Sequence, residues 1–480
     1  MSPVTYVNFK ITVHDEQTLS VEADYSPILS RVPLGGDALT LLTIERLASW
    51  VASDPNCSRA LLELLGKHLY RCVFGSKDSP VDGLLRAALN SLNAAGHRDS
   101  RLRLTLSFEP AASRLALCPW EFIYIDEHSG GYFIAAPSTG AQLVLTRFVP
   151  PPPKIVDSLE PPDRPLRILV IVSSSPPKMS DVTVEMLGPQ LDKLRGPDVE
   201  VEVLSSPTMK DVEKRLGIGS ATPWWPHILH LVGHGEMTKE GPHFAIRMDD
   251  ETWRKRLAVS DERNLPKIEW IPLSKIRELF PEERLPRLVF LQSCQSGTSY
   301  RAFASGAEEF VRSGTPAAIA MQFDIENGEA DYFAQQIYAS LSVGHPIDDA
   351  VTAARIQLAK RSAPTSWNSR HFGTPLLFLQ SRQAVILRRQ SPAESSGGSR
   401  EAGDESLPCP YRDDDDVKCR RRVRAGMDQC PKCLGSLQWC ENRHPCMADD
   451  HICGTCRVPL PRAGQVPRSP VADRGVSDFD

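Results

Sequence analysis

A chain of 480 residues exceeds one ordinary domain, and at roughly 150 residues per unit about three are expected. With 41% hydrophobic and 24% charged residues it has the mix of a soluble globular protein. No apolar run nears the roughly 18 residues that span a bilayer, the opening MSPVTYVNFKITVHDEQ has no secretory-signal layout, and a net charge of −5 argues against global attraction to nucleic acid.

Residues 1–148 read as mixed α/β. FKITV and LSVEADY alternate like strands. Three helices follow, marked by Leu39, Leu42, Leu47 and Val51, then Leu61, Leu62, Leu65 and Leu69, then Leu84, Leu85, Ala88, Leu89 and Leu92. LRLTLSF, CPWEFIYI and QLVLTRF are expected as strands. Residues 149–165 hold seven prolines and read as a stiff linker or crossing strap.

Residues 166–383 alternate more cleanly. LRILVIVSS, VEVEVLSS, HILHLVG, LPRLVFLQS and TPAAIAMQF are short strand-like runs, most of them almost wholly apolar as in a parallel sheet buried on both faces. Helices are expected near Val184–Leu194, where Pro189 kinks or starts the helix, and near Lys210–Leu216. Three amphipathic helices follow, carrying Phe303, Ala307 and Phe310, then Phe333, Ile337 and Leu341, then Ile347, Val351 and Leu358. This order predicts an α/β fold with a mostly parallel sheet flanked by helices. Residues 384–407, rich in Ser, Gly and Glu, read as a flexible linker. Residues 408–460 form a cysteine-rich unit, and 461–480 are expected to be disordered.

Ligands in such sheets sit beyond the carboxyl ends of the strands. There the sequence offers Gly233-His234-Gly235-Glu236 after one apolar run and Cys294-Gln295-Ser296-Gly297 after another. Glycines beside His234 allow a sharp turn and close backbone approach. A helix start after Cys294 would favour its thiolate. Together these are the parts for nucleophilic catalysis, with Cys294 attacking a carbonyl and His234 moving the proton. The backbone N–H groups of Gly235 and Cys294 are the candidate oxyanion donors. The bland readings are a packed histidine and a small core thiol; the pairing weighs against both. His227 and His230 are read as structural, Cys57, Cys72 and Cys118 as inert core thiols, and Trp120 with Glu121 as a packing element. Glu236 is as readily a solvated loop acid as a group that orients His234.

ILHLVGHGE, LVFLQSCQSG and AFASGAEEFVRSGTPAAIAMQF, in that order, resemble the CHAT family of caspase-like cysteine peptidases. The resemblance continues to FGTPLLFLQ and reaches back to LALCPWEFIYID, covering roughly residues 1–380. It implies a caspase-haemoglobinase fold, with His234 as base and Cys294 as nucleophile. One departure is the turn Asp324-Ile325-Glu326-Asn327, where the family often has Pro and then Asp. Acidic groups there, Asp324 and Glu326, would line the pocket for the substrate residue before the cut and favour Arg or Lys.

Eight of the 12 cysteines lie in the terminal unit: Cys409, Cys419, Cys430, Cys433, Cys440, Cys446, Cys453 and Cys456. Two Cys-x-x-Cys pairs among them predict a double zinc ribbon with two structural Cys₄ zinc ions, and no cofactor for the catalysis. His444 or His451 is an alternative ligand, and the grouping of ligands is open. A closed Cys₄ site suits recognition of a protein substrate or regulatory partner; the Asp413–Asp416 and Arg420–Arg424 runs read as compensating surface charge, so nucleic acid is the weaker partner. The sequence leads to the expectation of a cytoplasmic, regulated cysteine endopeptidase acting on a protein partner, by family analogy in stress or defence. A catalytically silent scaffold or a zinc-ribbon adaptor for protein or nucleic acid is the alternative.

Overall fold

The structure is a computed structural model. It describes residues 5–24, 26–77, 79–94, 100–125, 131–135, 142–150, 165–176, 187–196, 199–259, 266–293, 299–342, 344–361 and 367–380. It also describes the short segments 407–408, 422–423, 437–439 and 445–447. The chain divides into two compact units, Met1–Arg389 and Gln390–Asp480.

The first unit opens with strands β1 (Thr5–Val13), β2 (Thr18–Ala23) and β3 (Leu29–Pro33). Helices α1 (Ala38–Ser53), α2 (Arg59–Phe74) and α3 (Pro80–Ala94) follow. Asp37 caps α1 by accepting from the Thr40 N–H, and Ser58 caps α2 through Leu61. The face of α1 that packs is Leu41, Ile44, Leu47 and Val51; Leu39 and Leu42 are 69% and 50% exposed. The expected face was thus partly wrong, because α1 is apolar on several sides and packing selects among them.

Next come β4 (Ser100–Phe108), the one-turn helix α4 (Ser113–Ala116), and the short pair β5 (Tyr124–Ile125) and β6 (Gly131–Tyr132). The segment CPWEFIYI is not one strand. Trp120–Phe122 forms a 3₁₀ turn, with Trp120 buried and its Nε1–H donating to the Leu115 carbonyl at 2.8 Å. Strand β7 (Gln142–Phe148) ends this half, and residues 151–164 of the proline-rich stretch lie outside the described residues.

The remaining strands of the main sheet are β8 (Leu166–Val172), β9 (Val199–Ser205), β10 (Ile228–Gly233), β14 (Leu288–Ser293), β15 (Ala317–Met321) and β16 (Pro375–Leu379). A separate antiparallel sheet holds β11 (Gly235–Thr238), β12 (Gly241–Arg247) and β13 (Ile268–Pro272). The helices are α5 (Leu187–Leu194), α6 (Met209–Leu216), α7 (Asp250–Val259), α8 (Leu273–Glu278), α9 (Ser299–Arg312), α10 (Asn327–Ser342) and α11 (Ile347–Arg361). Pro189 falls in the first turn of α5, where its missing N–H costs nothing.

One sheet of 11 strands runs β3-β2-β1-β4-β7-β16-β15-β14-β10-β8-β9. Strands β1, β4, β7 and β16 are parallel to one another, as are β15, β14, β10, β8 and β9. The two blocks meet antiparallel at β15 and β16. The expected class, α/β with a mostly parallel sheet flanked by helices, therefore holds. Alternation explains the burial: Ile168, Val170 and Val172 face a core shared with α5, α10 and α11, while Leu169 and Ile171 face one shared with α6, α8 and α9.

A buried polar knot ties the two halves. Glu121 receives Arg147 Nε and Nη2 at 3.1 and 2.8 Å, and Gln322 Nε2 at 2.8 Å. Fully buried Arg355 donates to the Pro375 carbonyl, and loss of hydration lowers its pKa to about 10. The paired-Glu reading of Glu121 is right. No helix among the described residues is long and apolar enough to cross a membrane.

The second unit is described at four short strands. Strands β17 (Leu407–Pro408) and β18 (Arg422–Val423) pair antiparallel, as do β19 (Leu437–Trp439) and β20 (Pro445–Met447). Cys446 lies on β20; Cys409, Cys419, Cys430, Cys433, Cys440, Cys453 and Cys456 lie outside the described residues.

Candidate active site

Four described segments lie at the carboxyl edge of the β8–β15 block: Ser173–Pro176 after β8, Gly233–Gly235 after β10, Gln322–Glu326 after β15, and Arg370–Thr374 ahead of antiparallel β16. The Gln322 N–H donates to the Thr374 carbonyl, which holds the last two together.

Strands β10 and β14 are adjacent, parallel and in register, with His230 opposite Phe290, Val232 opposite Gln292, and Gly233 opposite Ser293. His234 and Cys294 are therefore the next residues along two neighbouring strands. Cys294 itself lies outside the described residues.

His234 is fully buried, and its backbone N–H donates to Ser173 Oγ at 3.1 Å. Gly233 has φ +152°, and Ser173 packs directly against its Cα, so a side chain there has neither room nor an easy backbone conformation. Gly235 opens β11 against the Phe303 ring of α9. Backbone therefore comes close on both sides of His234, as the Gly-His-Gly pattern suggests. Ser173 was not singled out in the sequence, and its only signal is its place just past an apolar strand. Glu236 is exposed on β11.

Asp324 is half-buried and Glu326 is exposed, in the turn between β15 and α10. The Arg370 guanidinium donates to the Asp324 carbonyl at 2.8 Å and lies 5.4 Å over the Phe323 ring. Burial pushes the His371 imidazole below its usual pKa; Glu326 opposes that shift and Arg370 adds to it. This turn is thus mixed in charge. Arg370 and His371 carry no motif in the sequence and are found by topology alone.

His227 Nδ1 accepts from the Arg167 N–H, and His230 is buried within the sheet; both are structural, as read. Cys57, Cys72 and Cys118 are free and buried, and loss of hydration raises their thiols to about 11, 12 and 12. They are unreactive at neutral pH.

A family model described as the CHAT domain matches residues 78–375. No curated protein matches the chain. Among solved structures, the chain is similar to RgpB of Porphyromonas gingivalis, in a complex of its pro- and mature domains. That match has 11% identity, covers 66% of this chain and 73% of that one, and has a TM-score of 0.36. Separase of Saccharomyces cerevisiae, in complex with securin, matches at 11% identity over 71% of this chain and 22% of that one, TM-score 0.28. The Drosophila initiator caspase Dronc matches at 8% identity over 46% and 83%, TM-score 0.25.

Proposed function

The chain belongs to the CHAT-domain family, and on that premise we propose that it is a caspase-like cysteine endopeptidase. The observation that carries this reading is the register of β10 against β14, with Gly233 paired to Ser293. Neighbouring strands lie about 4.8 Å apart, so the residues that follow, His234 and Cys294, start from neighbouring positions.

In the proposed reaction Cys294 Sγ attacks the peptide carbonyl carbon while His234 takes the thiol proton. The backbone N–H groups of Gly235 and Cys294 receive the oxyanion. His234 then gives its proton to the leaving amine. Water, deprotonated by His234, attacks the thioester and releases the acid and the free thiol. Asp324 and Glu326 form the acidic side of the pocket for the residue before the cut and favour Arg or Lys. Arg370 beside Asp324 weakens that preference without reversing it, because its guanidinium is engaged by backbone carbonyls on α1 and at Asp324.

The eight cysteines of the second unit hold two structural zinc ions. Their donor chemistry fits: thiolates are soft ligands, the spacing includes two Cys-x-x-Cys pairs, and the described part of the unit consists of two short antiparallel strand pairs. The metal supplies folding energy, not catalysis. This module recognises a protein substrate or regulatory partner, in a reducing cytoplasmic setting and a stress or defence role.

A fluorogenic peptide library tests the reading with wild type, Cys294→Ala and His234→Ala. Turnover disappears in Cys294→Ala and falls by about 10² to 10⁴ in His234→Ala. Cleavage favours Arg or Lys, and Asp324→Asn relaxes that preference. Turnover that survives Cys294→Ala would sink the nucleophile assignment.

A further inference from the structure

Four buried polar side chains below the site have no part in the chemistry above. Tyr338 and Asp331 lie on α10, His230 on β10 and Gln292 on β14, and none is more than 4% exposed. His230 Nε2 lies 3.1 Å from Gln292 Oε1, Tyr338 Oη 3.0 Å from His230 Nδ1, and Gln292 Nε2 2.8 Å from Asp331 Oδ1. The Leu187 N–H, at the start of α5, donates to Asp331 Oδ2 at 3.2 Å.

The network fixes its own proton positions. The Gln292 oxygen only accepts, so His230 carries its proton on Nε2. Burial pushes the His230 pKa down to about 3, so the ring is neutral and Nδ1 accepts from the Tyr338 hydroxyl. Every donor thus points along one path, from Tyr338 through His230 and Gln292 to the Asp331 carboxylate. The His230 ring also stacks flat on Phe290, centroids 4.3 Å apart and planes 3° apart.

The surroundings are apolar, with Ile228, Leu288, Phe333 and Ile337 nearby in the same core. Leucine and phenylalanine would fill this space without desolvating polar groups. What a fully satisfied network adds is one definite arrangement. Here the arrangement joins the two strands of the proposed dyad to α10: His230, on β10, precedes His234 by four residues, and Gln292, on β14, precedes Cys294 by two. Asp331 sits near the start of α10, just after the Asp324–Glu326 turn.

We propose that Tyr338, His230, Gln292 and Asp331 are positioning residues that lock the ends of β10 and β14 and so set the spacing of His234 and Cys294. The inference rests on the peptidase reading. It is tested on the full chain by the pH dependence of Cys294 alkylation by iodoacetamide, read by peptide mapping. Wild type is compared with Tyr338→Phe and Gln292→Leu, each well below its own Tm. Peptide cleavage is measured alongside.

The expected wild-type inflection lies below the ordinary thiol value of about 8.5, because a well-placed His234 stabilises the thiolate. In both variants it moves up by about one pH unit, and kcat falls roughly tenfold with KM within about twofold. A role in stability alone would lower Tm and leave these readouts in place. Tyr338→Phe removes a single oxygen and carries the test even where Gln292→Leu does not fold. A depressed wild-type inflection that both variants retain overturns the positioning role and leaves the peptidase. An ordinary wild-type thiol with no turnover overturns the dyad, and this inference with it.

Discussion

An ideal methyl added at Gly233 would sit 2.0 Å from Ser173 Oγ and 2.3 Å from Ser173 Cβ. Gly233→Ala therefore meets both a clash and a disfavoured φ, and should cost about 1–3 kcal/mol or more, read by denaturant unfolding. Adding Ser173→Gly removes the clash but not the φ strain, so the double variant should be less destabilised than the sum of the singles. Strict additivity would show that close packing is not what fixes glycine there. At this scale the sequence was informative about one half of each contact. Gly-His-Gly past an apolar run points to a tight approach around His234. Nothing in the triplet Ser173-Ser174-Ser175 says which strand end it approaches, because that is decided by strand order. Gln292, Arg370 and His371 were hidden for the same reason.

Between elements, the shortest ladder of the main sheet among the described residues is β7 against β16, with two paired positions, Phe378 opposite Arg147 and Leu379 opposite Phe148. Side chains reinforce it. Arg147 reaches Glu121 and the Ala116 and Cys118 carbonyls, while Arg355 spans from the Leu145 carbonyl to that of Pro375. Removing one partner leaves a buried charge alone, so Glu121→Ala should cost about 3–5 kcal/mol in denaturant unfolding. A loss under about 1 kcal/mol would show that the knot is dispensable. The strands legible in sequence were of two kinds: short apolar runs buried on both faces, LRILVIV, ILHLVG, LVFLQS and AAIAM, and alternating runs such as FKITV and VEVEVLSS. CPWEFIYI misled because its β-formers serve a 3₁₀ turn, with Pro119 unable to donate and Trp120 and Glu121 committed to separate partners. The β11–β13 sheet escaped notice because its strands are short, and Pro242 and Pro272 interrupt the alternation. The register of β10 on β14 was not legible at all, since register follows from packing.

For the whole molecule, the division into Met1–Arg389 and Gln390–Asp480 assigns different sources of stability to the two parts. The first has two large apolar clusters; the second, rich in thiols, is proposed to depend on metal. Chelation should release about two zinc ions per chain and abolish the structure of residues 408–460. The melting transition of residues 1–389 should stay where it was, because no metal ligand set occurs among its described residues. Loss of both transitions together would mean that the two parts depend on each other. The sheet of the first unit also has an order of assembly. Strand β16 comes last in that unit but lies in the middle of the sheet, paired to β15 on one side and β7 on the other. Until residues 375–379 have left the ribosome, β15 and β7 lack the strand that pairs with both of them in the finished sheet. The central strand arrives only with residues 375–379, after the proposed dyad, the 324–326 turn and the buried Tyr338–His230–Gln292–Asp331 network have all been synthesised. A newborn chain thus carries the proposed reactive groups before it has the strand that unites the sheet, and closure at long sequence separation is slow. Synthesis itself becomes a delay on maturity, and a ribosome stalled before residue 375 would leave a fragment with both edges exposed to aggregation and proteolysis.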